Sequence, residues 1–318
     1  MASPRITVAI ETYDRHAPLL EGAIQQNDLD LQFLQVEQSG DSGRHERFLQ
    51  QREWDAAELS FSSYLVAVDQ GLPISAVPVF PRRLFSQSQM YVNTHAGIKT
   101  PLDLAGKRVG LSTYQTTLSV LAKGDLAHYY GVPWKELTYV TSRPETVDVA
   151  LPPDVKIERA QGMRQIEEEL VAGTIQAFLN PRPPQAFLDG HPNVIRLFAD
   201  TQTEEERHLR DPGYFPIMHV AAFNRDAAER HPELPKALYD AFEAARTLAR
   251  RRWNDPNWSL LLWGKQELER EAALQQRDPW ANGLEVNRKN IEDFVRYSHE
   301  QGLIRRLLSP EELFVEIG

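Results

Sequence analysis

The chain contains no cysteine in 318 residues. Disulfides, thiolate nucleophiles, Cys-zinc sites and iron–sulfur clusters are thereby excluded. A basic excess is also missing: 35 Lys and Arg stand against 45 Asp and Glu, a formal charge of −10. Polyanions need a basic face, so the balance argues against nucleic acid as a partner. The one dense basic cluster, Arg250 to Arg252, ends a helical pattern, where cations suit the helix dipole. No apolar run approaches the ~20 residues of a membrane span, and no membrane partner is expected. Residues 1–5 lead into a strand without the apolar core of a signal peptide, so a cytoplasmic protein is the expectation. The chain has no Gly-x-Gly-x-x-Gly or Walker loop to cradle a nucleotide, and no Gly-x-Ser-x-Gly nucleophile elbow.

What is present is alternation. Ile6–Ile10, Leu31–Val36, Ala56–Phe61 and Ile74–Phe80 read as strands, with helices from about Pro18, over His45–Gln51 and over Tyr64–Gln70. After a strand at Met90–Thr94 the pattern restarts. A short helix at Pro101–Gly106 precedes a strand at Val109–Ser112 and a helix over Thr117–Tyr130. Val155–Arg159, Ile175–Leu179 and Val194–Phe198 read as further strands, and Met163–Ala172 as a helix. Strands alternating with helices predict parallel sheets with right-handed crossovers. A strand at Met218–Phe223 is followed by apolar residues at helical spacing, Leu234 to Ala249 and Ile291 to Tyr297. The pattern predicts a bilobed α/β protein, two αβ lobes joined by two crossing strands, one leaving at about residue 90 and one returning at about 220. Lobe 1 is expected over 1–88 plus 222–318, and lobe 2 over 89–221, with a ligand held between them at strand ends.

Six loops would face that cleft. The most informative is Gly106 to Thr117, where a short strand enters a hydroxyl-rich turn that opens a helix. Free N–H groups and the positive helix end suit a carboxylate or phosphate there. The loops together supply hydroxyls (Ser60, Ser62, Ser63, Thr116, Thr117), arginines (Arg15, Arg82, Arg182), aromatics (Tyr13, Tyr64, Tyr114) and the imidazole of His219. Arginine forks suit planar carboxylates and aromatics suit a flat ring, so the set reads as a pocket for an aromatic acid. Each residue has a plainer reading. Arg82 suits a solvated surface, Glu58 a helix cap, and His219 a hydrogen-bonded core position. His45-Glu46 looks like half of a metal site, but no second ligand follows at the right spacing.

Several segments carry a resemblance. Glu58 to Leu65, Pro78 to Arg82, Tyr91 to Thr94, Gly106 to Thr117, Tyr130 to Val132, Phe215 to His219, and the tail from His299 through Phe314 resemble the 4,5-dihydroxyphthalate decarboxylase family. The resemblance is collinear and spans nearly the whole chain. It implies a type 2 periplasmic-binding-protein fold and loss of CO2 from a dihydroxylated aromatic dicarboxylic acid, giving protocatechuate. The family pattern differs where His16, Thr113 and Thr116 stand. On this reading His219 donates the proton, and Glu58 or Asp14 accepts one from a ring hydroxyl. Arg82, Arg182 and the Ser112 to Thr117 turn, with Tyr114 and Gln115, hold the carboxylates, and Arg15 and His16 complete the wall. No organic cofactor is required. A catechol could chelate a divalent metal with His16, Glu58 and His219 as ligands, but spacing lends that no support beyond residue type. The alternative is a non-catalytic solute-binding protein or sensor for a small organic acid. Trp253, Trp258 and Trp263 on the C-terminal helices would suit self-association.

Overall fold

The computed structural model describes residues 5–25, 29–38, 43–274 and 277–317. The chain runs β1 (Arg5–Ile10), α1 (Ala17–Leu20), β2 (Asp30–Gln35), α2 (Arg44–Glu46), β3 (Ala56–Ser60), α3 (Phe61–Asp69) and β4 (Ile74–Val77). It continues through β5 (Met90–Asn93), β6 (Arg108–Leu111), α4 (Thr117–Tyr130), β7 (Thr138–Thr141), β8 (Lys156–Arg159), α5 (Met163–Ala172) and β9 (Ala177–Leu179). Then come α6 (Gln185–Leu188), β10 (Val194–Arg196), α7 (Thr201–Arg210), β11 (His219–Asn224), α8 (Arg225–Arg230), α9 (Leu234–Trp253), α10 (Gly264–Leu274), α11 (Leu284–Glu300) and α12 (Pro310–Leu313).

Two sheets result, ordered β2-β1-β3-β11-β4 and β10-β5-β9-β6-β7-β8. They are mixed rather than parallel. In the first, β11 runs antiparallel to both β3 and β4. In the second, β5 runs antiparallel to β9 and β10. Both antiparallel strands follow a passage from one sheet to the other, so they enter from the end opposite to a helix crossover. The boundary expected at 221 falls late: His219, Val220 and Ala221 already pair within the first sheet.

Local sequence explains most of the smaller differences. Pro78 has no N–H to give and ends β4 at Val77. Ser60 caps α3 by accepting from the Ser63 N–H, so that helix starts at Phe61, ahead of the expected Tyr64. The expected helix at His45–Gln51 is one turn, α2, followed by a π-type turn over Arg47–Gln51. Strand β7 went unnoticed because Thr138–Thr141 is too short for alternation to stand out.

The largest apolar cluster joins the two sheets. It includes Leu59, Phe61 and Leu65 from β3 and α3, Leu118 and Leu121 from α4, and Ile291, Phe294 and Tyr297 from α11. Helix α4 is buried over its first ten residues, Thr117 to Leu126. Gly124 faces α11, and an added Cβ there would lie 2.1 Å from the Tyr297 ring. A close-packed interior cannot absorb that overlap. Gly124→Ala should therefore lower stability by about 1–3 kcal/mol, read as a shift in the urea midpoint; an unchanged midpoint would contradict this packing.

Candidate functional site

Strand register builds the centre of the site. Side chains alternate across a strand, so Glu58 and Ser60 of β3 share a face. His219 lies directly opposite Ser60, and Glu58 is its diagonal neighbour, within reach of a long side chain. The His219 Nδ1–H donates to Glu58 Oε1. Glu58 is fully buried and accepts from the Glu11 N–H at 2.9 Å and the Tyr13 hydroxyl at 3.2 Å. Arg44, also fully buried, sets its guanidinium 3.5 Å from Glu58 Oε2 and donates through Nε to the Glu58 carbonyl at 2.9 Å. The same guanidinium reaches the Val36 carbonyl and the Glu11 carboxylate.

These contacts fix the charges. Burial alone would raise the Glu58 carboxyl. Arg44 and the hydrogen bond from His219 outweigh it and hold the group well below the usual carboxylate range. Burial lowers His219 to about 4, against the pull of Glu58, with Arg82 and Arg44 adding to the lowering. The resting pair is a carboxylate and a neutral imidazole with its proton on Nδ1. Its Nε2 makes no hydrogen bond among the described residues. Burial, and then Glu58, push the Tyr13 phenol up.

Arg15 lies beside this cluster, sandwiched 4.2 Å from the ring centroids of both Tyr13 and Trp280. Its Nε donates to the Pro81 carbonyl at 2.7 Å, so the fork is held before any ligand arrives. Arg82 is half-buried, and its charge acts to lower both His219 and Tyr13. Arg83 next to it is structural, donating to Phe215 O, Ala281 O and Asn287 Oδ1.

Helices α3 and α4 meet head to head at the junction of the sheets. Ser60 Oγ and Thr117 Oγ1 share a hydrogen bond of 2.8 Å, and Thr117 Oγ1 accepts from the Ser62 N–H at 3.2 Å. Ser63 Oγ donates to Gln115 Oε1 at 3.3 Å. Among the described residues the hydroxyls of Ser62 and Ser119, both buried, have no partner.

The structure does not bring every expected residue to this point. The Tyr64 hydroxyl donates to Leu313 O within the core. Tyr114 is buried under Lys123, whose Nζ lies 2.9 Å from the ring centroid. The Gln115 amide is spent on Val147 and Ser63. Asp14 is exposed and accepts from Trp253 Nε1 at 2.8 Å and from the Arg15 N–H. His16 is buried between Tyr13 and Phe242, donating through Nδ1 to the Glu11 carbonyl at 2.9 Å. Arg182 is exposed, and its one contact across the sheets is with Gln38 O at 3.5 Å.

The turn expected to hold an external anion already holds an internal one. Glu145 accepts from the Tyr114 and Gln115 N–H groups at 2.9 and 2.8 Å. Thr113 takes the Thr116 N–H at 3.0 Å, and their hydroxyls share a bond of 2.9 Å. Sequence reading missed Glu145, Arg44, Trp280 and Arg143. Arg143 joins Glu46 at 2.7 Å and Ser112 Oγ at 3.1 Å, tying α2 to the second sheet. The run Arg44 to Arg47 was the one available signal, since charged residues directly before the apolar pair Phe48-Leu49 have little surface to occupy. Among the described residues no group of three His, Cys, Asp or Glu is arranged to hold a metal ion. Among them, too, no helix is long and apolar enough to cross a membrane.

The buried imidazoles make stability depend on pH. Unfolded histidines titrate near 6.5, whereas burial lowers His16 and His208 to about 4. The unfolded chain binds more protons between those values, so stability is full above about pH 6.5 and falls as the pH drops toward 4. Each residue contributes on the order of 3 kcal/mol at most. Thermal melts between about pH 7 and pH 4.5 check this; a constant midpoint would show that the imidazoles are not held neutral.

Two mixed α/β sheets joined by antiparallel crossing strands, with acid–base and cationic groups at strand ends, define a bilobed protein of the periplasmic-binding-protein fold. Solved structures agree. The chain resembles the periplasmic aliphatic sulphonate binding protein SsuA from Escherichia coli, with TM-score 0.59 and 14% identity over 99% of this chain and 94% of that one. It also resembles the desulfurization enzyme DSZB, with TM-score 0.56 and 15% identity over 98% and 96% of the two chains. Residues 25–151 match the family described as NMT1/THI5 like. In sequence the chain is 34% identical to the 4,5-dihydroxyphthalate decarboxylase of Comamonas testosteroni, over 99% of this chain and 97% of that protein. It is 34% identical to the Pseudomonas putida enzyme of the same name, over 62% of this chain and 78% of that protein. The chain belongs to the 4,5-dihydroxyphthalate decarboxylase family.

Proposed function

We propose that this protein decarboxylates 4,5-dihydroxyphthalate or a close dihydroxylated ring diacid in a cleft between the two sheets. The observation that carries the reading is the His219–Glu58 pair, a neutral imidazole backed by a buried carboxylate at a strand end. Arg82 and the pre-set fork of Arg15 suit the two carboxylates. The head-to-head ends of α3 and α4 add positive dipole to the same region.

A bound dianion changes the state of His219. Its charge favours the imidazolium, which Glu58 also stabilises, so Nε2 takes a proton from solvent. That proton goes to the ring carbon bearing the leaving carboxylate, with electrons pushed from the para hydroxyl. The C–C bond then breaks, its pair returns to the ring, and CO2 departs. One proton is consumed and one CO2 released, so the step balances. His219 is thus the donor expected from the sequence, charged on binding. Glu58 acts through His219, from whose Nδ1–H it accepts and whose imidazolium it stabilises.

The test is incubation with 4,5-dihydroxyphthalate, following CO2 and protocatechuate, alongside calorimetry in buffers of different ionisation enthalpy. Turnover, with about one proton taken up on binding, is the expected result. Saturable binding without CO2 would favour a solute binder. We place the reaction in the cytoplasm; cell fractionation against a periplasmic marker enzyme checks that. Self-association belongs to the same reading. Leu260, Leu261, Leu262 and Trp263 form an exposed apolar run, too costly to leave in water. Elution well above the 36.3 kDa chain mass is expected; monomeric elution at micromolar concentration rejects it.

A further inference from the structure

His45 is buried, yet neither of its ring nitrogens hydrogen-bonds to a described residue. Among the described residues its Nε2 has no partner. Buried imidazoles normally spend both nitrogens, because an unmet donor or acceptor is costly. The backbone explains why the ring stays where it is. The His45 N–H donates to Gln38 Oε1 at 2.9 Å. Its neighbour Arg44 is locked on Glu58, and its neighbour Glu46 on Arg143 and Thr146 of the second sheet. The residue is thus pinned at the junction of the sheets with its hydrogen-bonding capacity unused.

Its ring stands at 89° to that of His219, centroids 5.1 Å apart. Burial, and then His219, hold its pKa well below the ordinary histidine value. A neutral imidazole offers one donor and one acceptor. A carboxylate uses only the donor, whereas a hydroxyl uses either nitrogen. The two rings meet edge to face, so a ring acid held at His219 lies beside His45 as well.

We propose that His45 reads substrate: its unused imidazole nitrogens hydrogen-bond the ring hydroxyl para to the leaving carboxylate, selecting hydroxylated ring acids. This rests on the decarboxylase reading of the same site. Mutation to a group of similar shape without nitrogens isolates the effect. The unreactive pair 3,4-dihydroxybenzoate and benzoate serves as probe, each titrated by calorimetry into wild type and His45→Phe. Wild type should prefer the dihydroxy acid, and His45→Phe should lower that preference about tenfold while leaving benzoate affinity unchanged, as expected for one lost hydrogen bond to a buried partner. His45→Gln, which keeps a donor and an acceptor, should retain most of it.

An unchanged preference in His45→Phe, or an equal loss for both acids, overturns the inference. If His45→Phe does not fold, imidazole 15N spectra of the wild-type protein decide. A His45 nitrogen shifted by 3,4-dihydroxybenzoate and not by benzoate supports the role; equal shifts or none overturn it. A wild type that binds neither acid and releases no CO2 would instead mean that the decarboxylase reading has failed.

Discussion

His219→Asn lowers turnover of 4,5-dihydroxyphthalate about a thousandfold and leaves the affinity for protocatechuate within a few-fold. The magnitude follows from the role: a positioned general acid contributes on the order of 10²–10⁴ in rate. Asparagine keeps a donor near the Nδ1 position, so Glu58 retains a partner in place of the one it takes from His219. What is lost is the titrating nitrogen proposed to face the ring. Binding survives because the carboxylates are assigned to Arg15, Arg82 and the helix ends. The measurement is CO2 release under single-turnover conditions beside product binding by calorimetry. Wild-type CO2 release would remove His219 from the chemistry, and loss of product binding would make it a binding residue.

The second large effect falls on stability. Arg44→Met should cost about 3–5 kcal/mol, the range for removing one partner of a buried ion pair. Glu58 would keep its charge at full burial and lose the nearest cation. The carbonyls of Glu58 and Val36 would lose their guanidinium donor as well. The double variant Arg44→Met, Glu58→Leu should recover a good part of that loss, since no lone charge remains buried. Urea denaturation of the two single variants and the double gives the coupling directly. Additive losses would mean that Arg44 and Glu58 do not sense each other.

How much of this was legible beforehand depends on the range of the interaction. Alternation of strands and helices is local, so two αβ units could be read. The two crossing strands could be read as well, but not their antiparallel direction, because that depends on which sheet the chain enters. Glu58, Ser60 and His219 were legible as candidates because each is a polar residue within or beside an apolar strand, where a polar side chain needs a reason to be present. Tyr64 and Tyr114 belong to the same loops and have the same chemistry, yet packing turned both into the core. Nothing in a sequence says which way an aromatic ring faces. Glu145 and Arg44 act on partners far along the chain, on Tyr114 and Gln115 and on Glu58. No spacing rule spans such separations. His45 stands out in sequence only beside Glu46; its lack of a partner among the described residues shows only in three dimensions.

Glu145 bears on how such a site could diverge. Its carboxylate fills a berth made by two converging peptide N–H groups. Replacing that single side chain with an uncharged one would vacate the berth without moving the backbone, and an oxyanion from outside could then take its place. Ligand preference in this chain can therefore be redrawn by evicting an internal tenant, a shorter evolutionary path than rebuilding a loop.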